Sequence, residues 1–213
     1  QSAEAARRRL SFDEFFFIQL GMLRQRQEWR NQPGMPIPVD QAAKEDMILF
    51  RDWVCFFVPT ILVQKGNPKG IGGLEDLLAP GIRLGLGDAK ACAIGRKTEK
   101  IFAKNNIAWE TVEANLTYQS MTVNELGMQI HAGSLDAVIV WDAIARYYDR
   151  HGEEVPIPVE QNIISTVELG VLSFSENKQT ALEFMAFAQS GRGRSIFEKH
   201  NYTLESPSGA NNR

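Results

Sequence analysis

Between Gly87 and Ile94 the chain reads GDAKACAI, mostly small residues, after the strand-like IRLGLG and before the basic, helical IGRKTEKIFAKNN. That placement suits one kind of chemistry. A helix N-terminus leaves its first backbone N–H groups without intrahelical acceptors and carries roughly half a positive charge, so it holds an anion without a charged side chain. Ala91, Cys92, Ala93 and Ile94 carry no side chain that competes strongly for those N–H groups. The plain alternative is a tight strand-to-helix connection with no ligand. Nucleotide loops do not fit. Gly87 to Gly95 lacks the Lys-Ser/Thr ending of a Walker loop, and Gly85-Leu86-Gly87 lacks the third glycine of a dinucleotide fingerprint.

A second helix start follows at Thr122-Val123-Asn124-Glu125, where Thr122 and Glu125 have capping-box spacing. Alone it reads as an ordinary capped helix. Two anion-competent helix starts carry more weight together, because a parallel sheet sets such ends along one edge. Trp141 and Asp142 close the apolar strand LDAVIVW at that same edge. By residue type, Trp141 is first a core residue and Asp142 first a cap. His131, His151 and His200 show no metal-ligand spacing, and no nucleophile elbow occurs. Cys92 with a distant histidine makes a poor nucleophilic pair. No enzymatic activity, cofactor or resident metal is expected.

The elements that must position these residues alternate. Residues 4–30 read as one long helix, with Leu10, Phe12, Phe15, Phe16, Leu20 and Leu23 at helical intervals and Ser11 and Glu14 in capping-box register. NQPGMPIPVD, 31–40, interrupts regular structure with three prolines and a glycine. From Met47 strands and helices alternate. VPTILVQ, IRLGLG, LDAVIVWDA and TVELGVLSF read as strands, and IGRKTEKIFAKNN, the segment from Thr122 to Gly133, ENKQTALEFMAFAQS and GRSIFEKH read as helices. Such alternation predicts an α/β fold with parallel-rich sheets.

Composition narrows the class. The chain has 213 residues, 44% hydrophobic and 23% charged, with a formal net charge of −3, so no global basic field draws it to nucleic acid or acidic lipid. An anion site must be built from local donors. The two cysteines, Cys55 and Cys92, form no disulfide framework and read as small core residues. FFFIQLGML is far short of the ~20 apolar residues a membrane span needs, and no targeting segment is expected in these residues.

Three stretches carry a family resemblance: VPTILVQKGNPKGIGGLEDLLAPGIRLGLGDAKACAIGR, TVNELGMQIHAGSLDAVIVWDA and QNIISTVELGVLSFSENKQTALEFMAFAQSGRGRSIFEKH. In that order they resemble the molybdate/tungstate-binding proteins of ABC importers, from about Met47 to Leu204. The resemblance implies a type II periplasmic-binding-protein fold, in which two α/β lobes close over a bare tetraoxyanion, molybdate or tungstate, with sulfate as a further candidate. It implies partnership with the importer's membrane subunits and a periplasmic or other extracytoplasmic location. By position it implies backbone N–H donation near Ala93 and Ile94 and from Val123. Trp141 stands where many members have a tyrosine that touches the anion. An indole has a single N–H to offer instead.

The first-lobe opening strand and serine loop of that family have no counterpart here, so the first lobe is expected to be incomplete and anion binding weak. Residues 4–40 instead resemble the helical linker before the motor domain of RecG-type DNA helicases. The expected organisation is therefore a helical segment and linker over 1–40 and a solute-binding domain over 41–213. Within that domain one lobe spans about 81–157, and the other is formed by about 47–74 and 166–204. The competing reading is a nucleic-acid-associated helical segment fused to an α/β body without a ligand.

Overall fold

The computed structural model describes residues 47–207. The helix expected over 4–30 and the linker at 31–40 lie outside the described residues. The chain divides after Met47, and the fold below is that of residues 48–207.

Among the described residues, seven strands and six α-helices follow one another. The strands are β1 (Ile48–Phe57), β2 (Pro59–Gln64), β3 (Leu84–Gly87), β4 (Leu116–Ser120), β5 (Ala137–Trp141), β6 (Gly152–Pro156) and β7 (Ser165–Leu172). The helices are α1 (Ala93–Lys104), α2 (Trp109–Glu113), α3 (Val123–His131), α4 (Asp142–Tyr147), α5 (Lys178–Gln189) and α6 (Gly191–Lys199). A short 3-10 turn spans Glu75–Leu78.

The larger sheet has the order β4-β3-β5-β2-β6. β3 runs parallel to β4 and β5, while β2 runs antiparallel to both β5 and β6. Four of its strands therefore share a direction and only β2 is reversed. The three inner strands are apolar runs buried on both faces: LGLG, AVIVW and, except for its last residue, PTILVQ. Their period-2 alternation divides two cores. Ile61, Val63, Leu84, Leu86, Ala137 and Ile139 pack with Ile94, Ile101 and Phe102 of α1. Leu62, Val138 and Val140 face the other way, onto Leu126 and Ile130 of α3 and Ala145 of α4.

The second sheet is the antiparallel pair β1-β7, irregular at Ile48/Phe50 and at Trp53/Cys55. Val54, Cys55, Ala188 and Leu204 form its core. The pairing corrects the expected lobe assignment. Segment 47–74 does not stay together but divides at Val58: β1 pairs with β7, and β2 enters the larger sheet between β5 and β6. The physical reason is burial. A run with five of six residues inaccessible belongs in the middle of a sheet, while β1, exposed along much of its first half, suits a sheet with one open face.

Candidate functional site

Because β3, β4 and β5 are parallel, their C-terminal ends lie on one edge, and α1, α3 and α4 start there. Asp88 builds the loop into α1. Its Oδ1 accepts from the N–H groups of Lys90 at 2.7 Å and Ala91 at 2.9 Å, and its carbonyl oxygen accepts from Cys92 N–H at 2.7 Å. Two N–H groups considered as anion donors, those of Ala91 and Cys92, are thereby engaged within the loop. Those of Ala93 and Ile94, in the first turn of α1, have no intrahelical acceptor. Cys92 is the N-cap in extended conformation, and its side chain makes no capping bond.

The small residues before α1 also serve packing. Gly85 has Leu135 and Val138 side chains against its Cα, and Gly87 faces Gly95 of α1 across a separation with no room for a Cβ. Part of the sequence signal therefore reports a close helix-on-strand contact.

At the second helix start the expected capping box is replaced. Thr122 precedes α3 without a side-chain cap bond. Ser120 Oγ instead accepts from Thr122 N–H at 3.1 Å and reaches the Glu125 carboxylate. The Thr122 side chain is exposed. The two loops are neighbours, since Asp88 N–H donates to Ser120 O at 2.8 Å.

A cavity of about 210 Å³ opens beside the start of α1. Ala93, Arg96, Lys97 and Lys100 line it from α1, Trp141 from the end of β5, and Phe57 and Ser165 from the two strands that lead between the sheets. Two of the anticipated residues, Ala93 and Trp141, thus meet in one cavity. Ile94 follows Ala93 but its side chain is wholly buried in the core. Val123 does not line the cavity; it packs against both cores at the first turn of α3. The Trp141 ring lies 5.1 Å from that of Phe57, and no described residue accepts a hydrogen bond from its indole N–H. The three cations on the α1 face were not anticipated as site residues, although their helical spacing was visible in IGRKTEK.

Asp142 does more than cap α4. Its side chain is 1% exposed, accepts from Val58 N–H at 3.4 Å and from Thr203 Oγ1, and lies 3.3 Å from Arg146 Nη1. Its own N–H donates to Val58 O at 2.9 Å, and Thr203 O accepts from Phe56 N–H at 2.8 Å. Arg146 also donates to Asn201 O at 2.8 Å. One buried carboxylate therefore ties β5, the β1–β2 passage and the C-terminal segment together. Burial, with the Asp142 charge nearby, pushes the Cys55 thiol up to about 11, which keeps it protonated and inert. Burial also raises Glu154, 3.6 Å from Arg146, against that cation's opposite pull. Asn162 holds the other passage, donating to Pro59 O at 2.8 Å.

His131 and His151 stack at 3.7 Å, both exposed, and no group of three or more metal-ligating side chains occurs among the described residues.

A curated relative from Haemophilus influenzae, named "Putative binding protein", is 26% identical over 149 residues, 70% of this chain and 60% of its own length. This chain thus spans about three fifths of that relative. Among solved structures, a "substrate binding domain of putative molybdenum ABC transporter" from Clostridium difficile superposes with a TM-score of 0.64 at 17% identity, over 79% of this chain and 73% of its own. PEB3 of Campylobacter jejuni, in its L-phospholactate-bound form, gives 0.63 at 18% identity, over 76% and 72%. The fold is that of type II periplasmic binding proteins. Residues 33–203 match the family model described as bacterial extracellular solute-binding protein, and the chain belongs to that family.

Proposed function

We propose that this chain binds a small oxyanion reversibly beside the start of α1 and delivers it to the membrane subunits of an ABC importer, outside the cytoplasm. The observation that carries this reading is the cavity shared by Ala93 and Trp141, beside first-turn N–H groups that the Asp88 loop leaves free. The reaction is capture and release with no covalent step. Donors of this kind favour a fully ionised ligand, since none of them accepts a proton. The two solved neighbours named above carry a molybdenum-transporter title and a bound phospholactate, and a tetrahedral anionic group is common to both chemistries. Molybdate, tungstate and sulfate are the inorganic candidates.

Each hydrogen bond to such an ion contributes about 1.5–3 kcal/mol. With the donors of one lobe alone, binding in the micromolar to millimolar range is expected. Thermal-shift measurements and calorimetry with molybdate, tungstate and sulfate, against chloride at matched ionic strength, test the reading. A saturable, anion-specific rise in Tm supports it. Identical behaviour in all four salts would remove it.

A further inference from the structure

Three cations follow Ala93 along one face of α1: Arg96, Lys97 and Lys100 stand at i+3, i+4 and i+7, and all line the same cavity. From Ala93 to Lys100 the helix rises about 10 Å. The row of cations therefore runs on past the first-turn N–H groups that seat a tetrahedral ion. Among the described residues, none of the three cations has a carboxylate partner, whereas Arg51, Arg83, Arg146 and Arg194 each do. Arg96 makes one long bond, 3.4 Å, to Ala89 O.

The arrangement works against the helix that carries it. Cations near a helix N-terminus oppose its macrodipole, and no acid occupies the first turn of α1 to offset them. Lys97 and Lys100 are like charges one turn apart, which is unfavourable in itself. Burial lowers the half-buried Lys97 ammonium below the ordinary lysine value, and Lys100 adds to that. Local rules broken this way, without an internal compensation, are the mark of a surface shaped for a ligand.

We infer that the ligand of this site is an elongated organic anion with two charged ends, a phospho-carboxylate or sulfo-carboxylate. Its tetrahedral group sits on the N–H groups of Ala93 and Ile94, and its carboxylate pairs with Lys97 and Lys100. The inference rests on the oxyanion reading and specifies its ligand.

The test compares 2-phosphoglycolate with inorganic phosphate, sulfate and molybdate by calorimetry on the full chain at one fixed ionic strength. A Lys97→Gln/Lys100→Gln variant is titrated in parallel. The expected result is at least about tenfold tighter binding of phosphoglycolate than of any inorganic ion. The variant should lose about tenfold for phosphoglycolate and stay within about threefold for the inorganic ions. Inorganic binding equal to or tighter than that of phosphoglycolate, or a variant that weakens all ligands alike, overturns the two-ended ligand and leaves the oxyanion site standing. No binding of any of the four overturns both. Lys100 is exposed and Lys97 half-buried, and their charges oppose the helix, so thermal unfolding of the variant without ligand should match or slightly exceed that of the parent.

Discussion

Gly95 approaches Gly87 so closely that a Cβ on Gly95 would stand 2.3 Å from the Gly87 carbonyl oxygen. The obstruction is backbone on both sides, so no side-chain rotation relieves it. Gly95→Ala should destabilise by about 2–3 kcal/mol or more, as a small-to-large change in a packed contact. Gly73, where a Cβ would meet nothing within 4 Å, is the control: Gly73→Ala should be neutral or slightly stabilising. Urea denaturation of the pair decides it, and equal midpoints would contradict the close contact.

Ala93→Pro separates the donor from the fold. Ala93 is the first residue of α1, where proline is well accommodated, and Cys92 before it has φ −120° and ψ 131°, the extended conformation a following proline requires. The substitution removes one N–H that has no acceptor within the helix. Stability should change by less than about 1 kcal/mol, while oxyanion affinity should fall by about tenfold or more. Ile94→Ala is the wrong probe, because that side chain is 0% exposed and its loss costs about 2–4 kcal/mol of core packing. Unchanged affinity in a folded Ala93→Pro protein would move the anion elsewhere.

Asp142 and Glu168 both pair with arginine, yet their removal should differ greatly. Asp142→Ala strips partners from Val58, Thr203 and Arg146 at a buried point and should cost about 2–4 kcal/mol. Glu168 and Arg51 are each half-exposed at 3.8 Å, so Glu168→Gln should fall within about 0.5 kcal/mol of the parent. Denaturant midpoints measured side by side check the contrast.

Asp136 should give the protein an acid-sensitive component. Arg83 grips it with Nη2 to Oδ1 at 2.7 Å and Nε to Oδ2 at 3.2 Å, and its backbone N–H adds 2.9 Å. These bonds hold the carboxyl below the ordinary carboxylate value, outweighing the opposite effect of burial. A carboxyl with a depressed folded value stabilises fully above its unfolded value, near ~3.9, and loses that contribution as pH falls through the folded value. Asp136→Asn should lower stability at neutral pH and flatten its decline below about pH 4. A parallel decline in both proteins would show the pair to be energetically idle.

What was legible in the sequence follows burial. β2, β3 and β5 are the inner strands, apolar on both faces, and each was readable as a strand from VPTILVQ, IRLGLG and LDAVIVW. The strands that were not recognised include β4 and β6, the two edges of that sheet, short and carrying Gln119, Glu153 and Glu154. Edge strands are kept polar to discourage further pairing, which erases the pattern that would announce them. The β1–β2 break was hidden for another reason: a single residue, Val58, separates two strands that join different sheets, and Pro59, the one breaker there, opens β2 itself instead of a loop. At the candidate site, helix and strand ends set Ala93 and Trp141 on one edge of the sheet, but a ligand role for Trp141 came from the family resemblance alone. Asp142 could not be assigned its clamp, because Val58 and Thr203 are distant in sequence and only the folded chain brings them to it.

The reversed strand β2 has a consequence for synthesis. Thr60 pairs on one side with Val140 and on the other with Pro156, so β2 leaves the ribosome long before either neighbour exists. Until β5 has emerged, the apolar PTILV has no strand to pair with and must stay solvated or be held by another protein, and its second side is covered only after Pro156 follows. Closure of the sheet is thus a late, long-range event, of the kind that slows folding and keeps a nascent chain open.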